Sequence, residues 1–585
     1  MTASTHWLAT ASGQAVLERG GNAFDAAVAC AFVLQVVEPH LNGPGGDLVG
    51  IFATAAEPGV PVVLMGQGPA PANATIEHFR SEGLTLVPGA GALAAAVPGA
   101  VEAWLMLLRD HGTWELSDVL SFAIGYAREG HPLLNRVAAT IARVAPLFED
   151  HWLTSAALWM PEGIVPVAGA LFTNTTLAAT YQRLVDAATG TTRASRIDAA
   201  RNAWSQGFVA AAIDNFALTT HRHSTGGDHS GVITADDVAN FQASYENAVT
   251  LDFRGVTVAK AGAWSQGPAL LQMLSILDGY EDERLDPSTA RGAHTILEAE
   301  KLALADREAY YGDSVETPLA ELLSTGYADT RRRLIDEHAS AAFRPGAVSG
   351  HVPFVPELTV AEDLPVIESA GQRYVGQHAA GEPTVNISGE TRGDTCHLDV
   401  VDRWGNMVSV TPSGGWLQSS PTVPELGFCL GTRLQMTWLT PGSPSSLQPG
   451  KRPRTTLTPT LLLKNGRAAA TLGSPGGDQQ DQWQLPYLLR TIVGGYSPQE
   501  AIDAPTFHTT SMPDSFWPRT WQPGGAVVED RLGESVINDL ESRGHVVTRA
   551  GDWTLGRLST VGVEPDGQFY AAANPRGNQG YAAGR

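Results

Sequence analysis

The chain has 585 residues, with 38 basic against 61 acidic side chains, a formal charge of −23, and it is 43% apolar and 17% charged. That balance excludes a nucleic-acid backbone or an anionic membrane surface as the main partner, because both select clustered cations. Length and apolar content suit a folded protein with ample core. Lysine occurs only at Lys260, Lys301, Lys451 and Lys464, which leaves few amines for Schiff-base chemistry. Cys30, Cys396 and Cys429 are too few for a disulfide framework or a Cys-rich zinc site and fit a reducing compartment. The longest apolar run, Ala26 to Val37, is too short to span a bilayer, and nothing at the start reads as a secretory signal, so a cytoplasmic protein is expected.

Helical spacing runs from Trp7 to Arg19 and stops at Gly20-Gly21; Asn22 then caps a second helix over Ala23–Val37, ended by Pro39. Gly43-Pro44-Gly45-Gly46-Asp47 reads as a tight turn rather than a phosphate cradle, since the Lys-Ser/Thr ending of a P-loop is missing, and it leads into strands Leu48–Ala53 and Val62–Met65. From Ala94 to about Asp313 the pattern is mostly helical, including Ala123–Glu129, Leu177–Ala188 and His294–Tyr311. His221 to His229, with Asp228, has the composition of a metal cluster but sits in a Thr/Gly/Ser-rich loop that fixes no ligand geometry. Ser340 to Pro383 reads as a loosely packed connecting stretch. Strands follow: His397–Val401 and Met407–Thr411 flank Asp402–Asn406, Thr460–Leu463 and Ala468–Leu472 flank Asn465-Gly466, and a further pair flanks Pro565-Asp566-Gly567. Helices first and antiparallel hairpins afterwards predict sheets covered by helices, an α/β sandwich rather than alternating βαβ units.

No Gly-x-Ser-x-Gly elbow, His-Glu-x-x-His pair, Walker motif or dinucleotide fingerprint is present, so the nucleophile lies elsewhere. The run Gly393-Asp394-Thr395-Cys396-His397 puts a Thr and a Cys where the linker meets a strand. Taken alone, a β-branched residue at a strand start is commonplace.

That run is one of several, in order along nearly the whole chain, that resemble the gamma-glutamyltranspeptidase family. The others are Gly20-Gly21-Asn22-Ala23-Phe24-Asp25-Ala26-Ala27, Glu38-Pro39-His40, Gly43-Pro44-Gly45-Gly46, Val97-Pro98-Gly99, Glu300-Lys301-Leu302-Ala303-Leu304-Ala305-Asp306-Arg307, Lys451-Arg452-Pro453 and Gly473-Ser474-Pro475-Gly476-Gly477. The resemblance implies an αββα N-terminal-nucleophile hydrolase that cuts itself ahead of a Thr. By this resemblance Thr395 is the nucleophile, since the family's Thr-x-His register falls on Thr395-Cys396-His397, with Cys396 as the rival thiol. Cleavage would leave a helix-rich segment 1–394 and a strand-rich segment 395–585 of 191 residues, two chains of one αββα unit. A Thr hydroxyl needs a base, and the freed α-amino group, with a pKa near about 8, supplies one.

The resemblance also implies that Ser413 bonds to the nucleophile, that Gly476 and Gly477 form the oxyanion hole, and that Thr455-Thr456 receive a substrate carboxylate. Two positions depart from the family: Gln67 stands where it has an Arg for the α-carboxylate, and Gln435 near its Asp pair for the α-amino group. Arg433, Arg452 and Arg454 are candidate substitutes. The leading expectation is a self-processing γ-glutamyltransferase-like enzyme with an acyl-threonine intermediate, a small amide as substrate, and water or an amine as acceptor. The alternatives are an acylase or small-amide hydrolase without γ-glutamyl specificity, and an unprocessed, inactive binding homologue. No cofactor or metal is implied.

Overall fold

Both opening helices form where the sequence places them, over Trp7–Glu18 and Ala23–Val37. Asn22 caps the second through its side chain, which accepts from the Phe24 and Asp25 amides, while Asp25 accepts from the Asn22 amide in return. Ala23–Val37 is buried at every position because it lies between other helices and a sheet, which is why its sequence is apolar except for Asp25 and Gln35. The computed structural model describes residues 1–360, 394–578 and 580–585.

Two antiparallel sheets stack face to face. The seven-stranded sheet runs in the order Tyr581–Ala583, Thr2–Ser4, Leu398–Val401, Met407–Ser413, Asp47–Ala53, Val62–Gly66, Ser244–Asn247. The six-stranded sheet runs Phe569–Ala573, Ser559–Val563, Arg467–Gly473, Thr460–Lys464, Val256–Lys260, Val249–Phe253. Each sheet combines strands from before and after residue 394. Ala23–Val37 and Ala100–His111 cover the first sheet, and Gly267–Leu277 and Gln480–Ile492 cover the second, with Ala290–Tyr310 packed on Gly267–Leu277. The result is the expected four-layer αββα sandwich. Since both faces of Met407–Ser413 are covered, all seven of its residues are buried.

The three hairpins expected after Asp394 all pair as antiparallel strands. Asn465 and Gly466 take φ of 52° and 71°, the left-handed pair that a two-residue hairpin turn requires. The expected helical layer from Ala94 to Asp313 needs correction, because it also contains the strands Ser244–Asn247, Val249–Phe253 and Val256–Lys260, which complete the edges of both sheets. Of the expected connecting stretch, residues 340–360 are described and are tied down: the Gly346 amide donates to Asp306 at 2.6 Å and Tyr310 to the Gly346 carbonyl at 2.5 Å. Residues 361–383 lie outside the described residues.

Candidate active site

Thr395 sits just ahead of strand Leu398–Val401 and bridges to Ser413 at the end of strand Met407–Ser413. Its hydroxyl lies 3.3 Å from Ser413 Oγ and 3.2 Å from the Gly476 carbonyl oxygen, and Ser413 Oγ donates to the Asp394 carbonyl at 2.9 Å. All of these residues are buried. The bond between Asp394 and Thr395 is thus held between a hydroxyl that can add to its carbonyl and a second hydroxyl already bonded to that carbonyl oxygen.

Cys396 faces the other way. Its thiol donates to Glu38 Oε2 at 3.1 Å and accepts from Asn42 Nδ2 at 3.1 Å, and burial followed by the Glu38 carboxylate pushes it well above the usual thiol range. His397 has both ring nitrogens engaged, with Thr411 Oγ1 and with Asp399 Oδ2, each at 2.9 Å.

The Gly43-to-Asp47 segment is a close backbone turn, as read. A Cβ on Gly43, Gly45 or Gly46 would collide with the carbonyls of Gly415, Cys429 and Ser413 respectively, so glycine is required there for approach. Gly476 has φ of +115°, and its carbonyl accepts from both Thr395 and Gln480. The helix Gln480–Ile492 begins just beyond the glycine pair, which puts the positive end of its dipole beside the turn.

Thr455 is fixed by its backbone to Trp264 and Gln266, and its hydroxyl accepts from the Leu457 amide at 3.3 Å. The buried Thr456 hydroxyl has no partner among the described residues. Gln67 is fully buried: its amide donates to the Gly68 carbonyl at 3.1 Å, and its Oε1 has no partner among the described residues. Asp47 pairs with Ser413 and Leu48 with Gly66, so Gln67 stands about two strand spacings, roughly 10 Å, from Ser413. Gln67 and Arg452 both line a cavity of about 600 Å³, together with Met65, Val97, Phe241 and Asp313.

Arg433 is not an open cation. Its Nε and Nη2 bond bidentately to Asp47 at 2.6 and 2.7 Å, with both residues buried. Arg452 is paired with Glu246 and Asp313, and Arg454 with Glu308. Gln435 is spent on the fold: its amide donates to Thr432 and Gly89, and its Oε1 accepts from Trp517.

The His221–His229 segment is the hairpin Thr220–Arg222 with Asp228–Ser230. There His223 accepts from the Leu93 amide at 2.9 Å and His229 bonds Glu82 at 2.6 Å, so these side chains do not converge on one point. A different group, His294, Glu298 and His545, does converge. Lys301 and Arg344 already neutralise Glu298 there, at 2.7 and 2.8 Å, which leaves a cation nothing to balance.

Two anchors escaped the sequence reading. In Gly45-Gly46-Asp47 and again in Gly476-Gly477-Asp478 the Asp after a glycine pair binds a distant Arg: Arg433 in the first, Arg307 in the second. The repeated Gly-Gly-Asp string marks the two Asp residues but not their Arg partners.

Helix layers enclosing two stacked antiparallel sheets, with a Thr at a strand start between hydroxyl and glycine-turn neighbours, make this an αββα fold of the N-terminal-nucleophile hydrolase class. The chain belongs to the gamma-glutamyltranspeptidase family, whose model matches residues 9–584. It is an enzyme of the γ-glutamyltransferase-like amidohydrolase and acyltransferase kind. A solved structure of LmbA2991HD is 50% identical, with a TM-score of 0.91 over 100% of this chain and 98% of that one. The cephalosporin acylase from Bacillus halodurans is 26% identical, with a TM-score of 0.81 over 100% and 95%. The glutathione hydrolase-like YwrD proenzyme of Bacillus subtilis is 28% identical over 99% of this chain and 97% of its own.

Proposed function

We propose that the chain cleaves itself between Asp394 and Thr395 and then hydrolyses or transfers the acyl group of a small amide through an ester on Thr395. The observation that carries this reading is the pairing of Thr395 Oγ1 with Ser413 Oγ, itself bonded to the Asp394 carbonyl. Thr395 Oγ1 adds to the Asp394 carbonyl carbon, Ser413 donates to the oxygen that becomes negative, and collapse breaks the C–N bond to leave an ester and the Thr395 amine. Water hydrolyses that ester and frees Asp394 as a carboxylate. Because each sheet pairs strands from both sides of the cut, Asp47–Ala53 with Met407–Ser413 and Val256–Lys260 with Thr460–Lys464, the chains 1–394 and 395–585 stay together.

In turnover the Thr395 amine takes the hydroxyl proton as Oγ1 attacks the substrate carbonyl, and the N–H groups of Gly476 and Gly477 receive the oxyanion. The proton passes to the leaving amine, and water or a second amine then attacks the ester. Thr455 and Thr456 offer hydroxyls to the acyl group, which extends toward Gln67 and the cavity beside it.

For the acyl group, we read an amide without γ-glutamyl specificity. Arg433 is neutralised by Asp47, and Gln67 and Gln435 are uncharged, so neither the α-carboxylate nor the α-amino group of a glutamyl moiety finds a free partner at these positions. Likeness to both a cephalosporin acylase and a glutathione hydrolase-like proenzyme supports an amide substrate of this breadth. The test is mass analysis of the purified protein with an amide-hydrolysis assay. Two chains and activity lost in Thr395→Ala are expected; an active, uncut chain would overturn the reading.

A further inference from the structure

The Gly476-Gly477 turn has no side chains with which to hold itself, and glycine is the residue with most backbone freedom. Oxyanion donors work only when fixed in advance, and a displacement of about 1 Å costs on the order of a hundredfold in rate. Whatever holds this turn therefore controls the reaction.

The turn is held from Asp478. This carboxylate, buried directly after Gly477, pairs with Nη1 of Arg307, fully buried on helix Ala290–Tyr310 and 171 residues away in sequence. Its Oδ2 accepts from the Ser515 amide at 2.8 Å and its Oδ1 from the Ser515 hydroxyl at 2.6 Å. The same Arg307 Nη1 donates to Gln266 Oε1 at 2.8 Å, and Gln266 Nε2 reaches the Gly477 carbonyl at 3.5 Å. One guanidinium thus grips the turn twice, through Asp478 and through Gln266. The Gly476 carbonyl, on the same turn, is also the acceptor for Thr395.

A buried ion pair is rarely a net source of stability compared with apolar side chains of the same shape, so stability does not account for this one. Its geometry does. Resting on the function proposed above, we propose that Arg307 and Asp478 are positioning residues that set the Gly476-Gly477 turn and, through Gly476, the Thr395 hydroxyl. Neither touches the substrate. Both act on kcat, through where the oxyanion donors stand, and not on how the substrate binds. Arg454 and Glu308, paired at 2.8 Å, extend the network to the residue before Thr455.

The experiment compares Asp478→Asn, Asp478→Glu, Arg307→Lys and Gln266→Ala with wild type, recording chain cleavage over time, kcat and KM per cleaved molecule, and thermal melting. Asp478→Asn should lower kcat ten- to a hundredfold, with KM within threefold, and slow cleavage in parallel. Asp478→Glu and Arg307→Lys should recover part of the loss, and Gln266→Ala, which leaves the ion pair intact, should lose three- to tenfold in kcat. Folded Asp478→Asn protein that fails to cleave at all also supports the proposal. If Asp478→Asn does not fold, Arg307→Lys decides: a lower kcat at unchanged KM supports the proposal, and wild-type kcat overturns it. Wild-type kcat in a folded Asp478→Asn variant, or a loss confined to KM, would overturn it. Thr395→Ala runs alongside: if that variant still hydrolyses amides the function proposed above has failed, whereas an inert Thr395→Ala beside a fully active Asp478→Asn removes only the positioning role.

Discussion

The Ser413 hydroxyl donates a 2.9 Å hydrogen bond to the carbonyl oxygen of Asp394, the bond partner of Thr395. A donor on that oxygen stabilises the charge that appears when Thr395 Oγ1 adds, and removal of one such donor typically costs about 10²–10³ in rate. Ser413→Ala is therefore expected to cleave about a hundredfold more slowly than wild type, and Ser413→Thr at near the wild-type rate. Thr395→Ala stays uncut. Denaturing gels over time with intact-mass measurement give the answer, and normal cleavage in Ser413→Ala would remove Ser413 from the mechanism.

Cysteine chemistry should be silent in the folded protein. Burial pushes the thiols of Cys30 and Cys429 up to about 12, and burial with the Glu38 carboxylate raises that of Cys396 well above its ordinary value. At about pH 8 a thiol titrating near 12 is thiolate in roughly one molecule in 10⁴. Native protein treated with iodoacetamide should gain no mass, while the urea-unfolded chain gains three adducts. Cys396→Ala should still cleave and turn over. Labelling of Cys396 in step with loss of activity would move the nucleophile to the thiol.

Local chemistry made much of this molecule legible. The Asn22 cap, the Asn465-Gly466 turn and the hairpin across Asp402–Asn406 are decided by residues within a few positions of one another, and each formed as read. The strands Val249–Phe253 and Val256–Lys260 carried a local signal as well, alternating Val249, Leu251 and Phe253 before Arg254-Gly255 with φ of 49° and 82°, but the surrounding helical runs masked it. The state of Arg433 was not legible. Its partner Asp47 is 386 residues away, and the long-range bridge between Gly45 and Leu430 sets the two segments side by side. The Arg307–Asp478 pair was hidden for the same reason.

Stability should fall on mild acidification. His6, His131 and His223 are buried, and that burial lowers them from 6.5 to about 3, 4 and 4. His223 shows why geometrically: Nδ1 meets the His221 carbonyl while Nε2 accepts from the Leu93 amide, so protonating Nε2 breaks the second bond. Between about pH 6.5 and 4 the unfolded chain binds protons at these sites and the folded chain does not. Stability is therefore full above about 6.5 and declines as pH falls through that window. The urea midpoint should drop between about pH 7 and about pH 5. His223→Gln, less stable at pH 7, should lose less over the same interval; an equal or larger loss would show that His223 is not one of the titrating groups.

Specificity follows from the charges that are absent. A γ-glutamyl group brings a carboxylate and an ammonium, and leaving either unpaired on desolvation costs several kcal/mol. Gln67 and Gln435 are neutral, and Arg433 is already satisfied by Asp47. An acyl group without the α-amino function avoids the second cost, and a neutral amide can still meet a carbonyl or hydroxyl. The comparison is kcat/KM for a γ-glutamyl anilide against the matching glutaryl anilide, which lacks only the amino group. The glutaryl compound is expected to match or exceed the glutamyl one. A glutamyl preference above about a hundredfold, or roughly 2.7 kcal/mol, would mean that another carboxylate receives the ammonium and would refute the assignment.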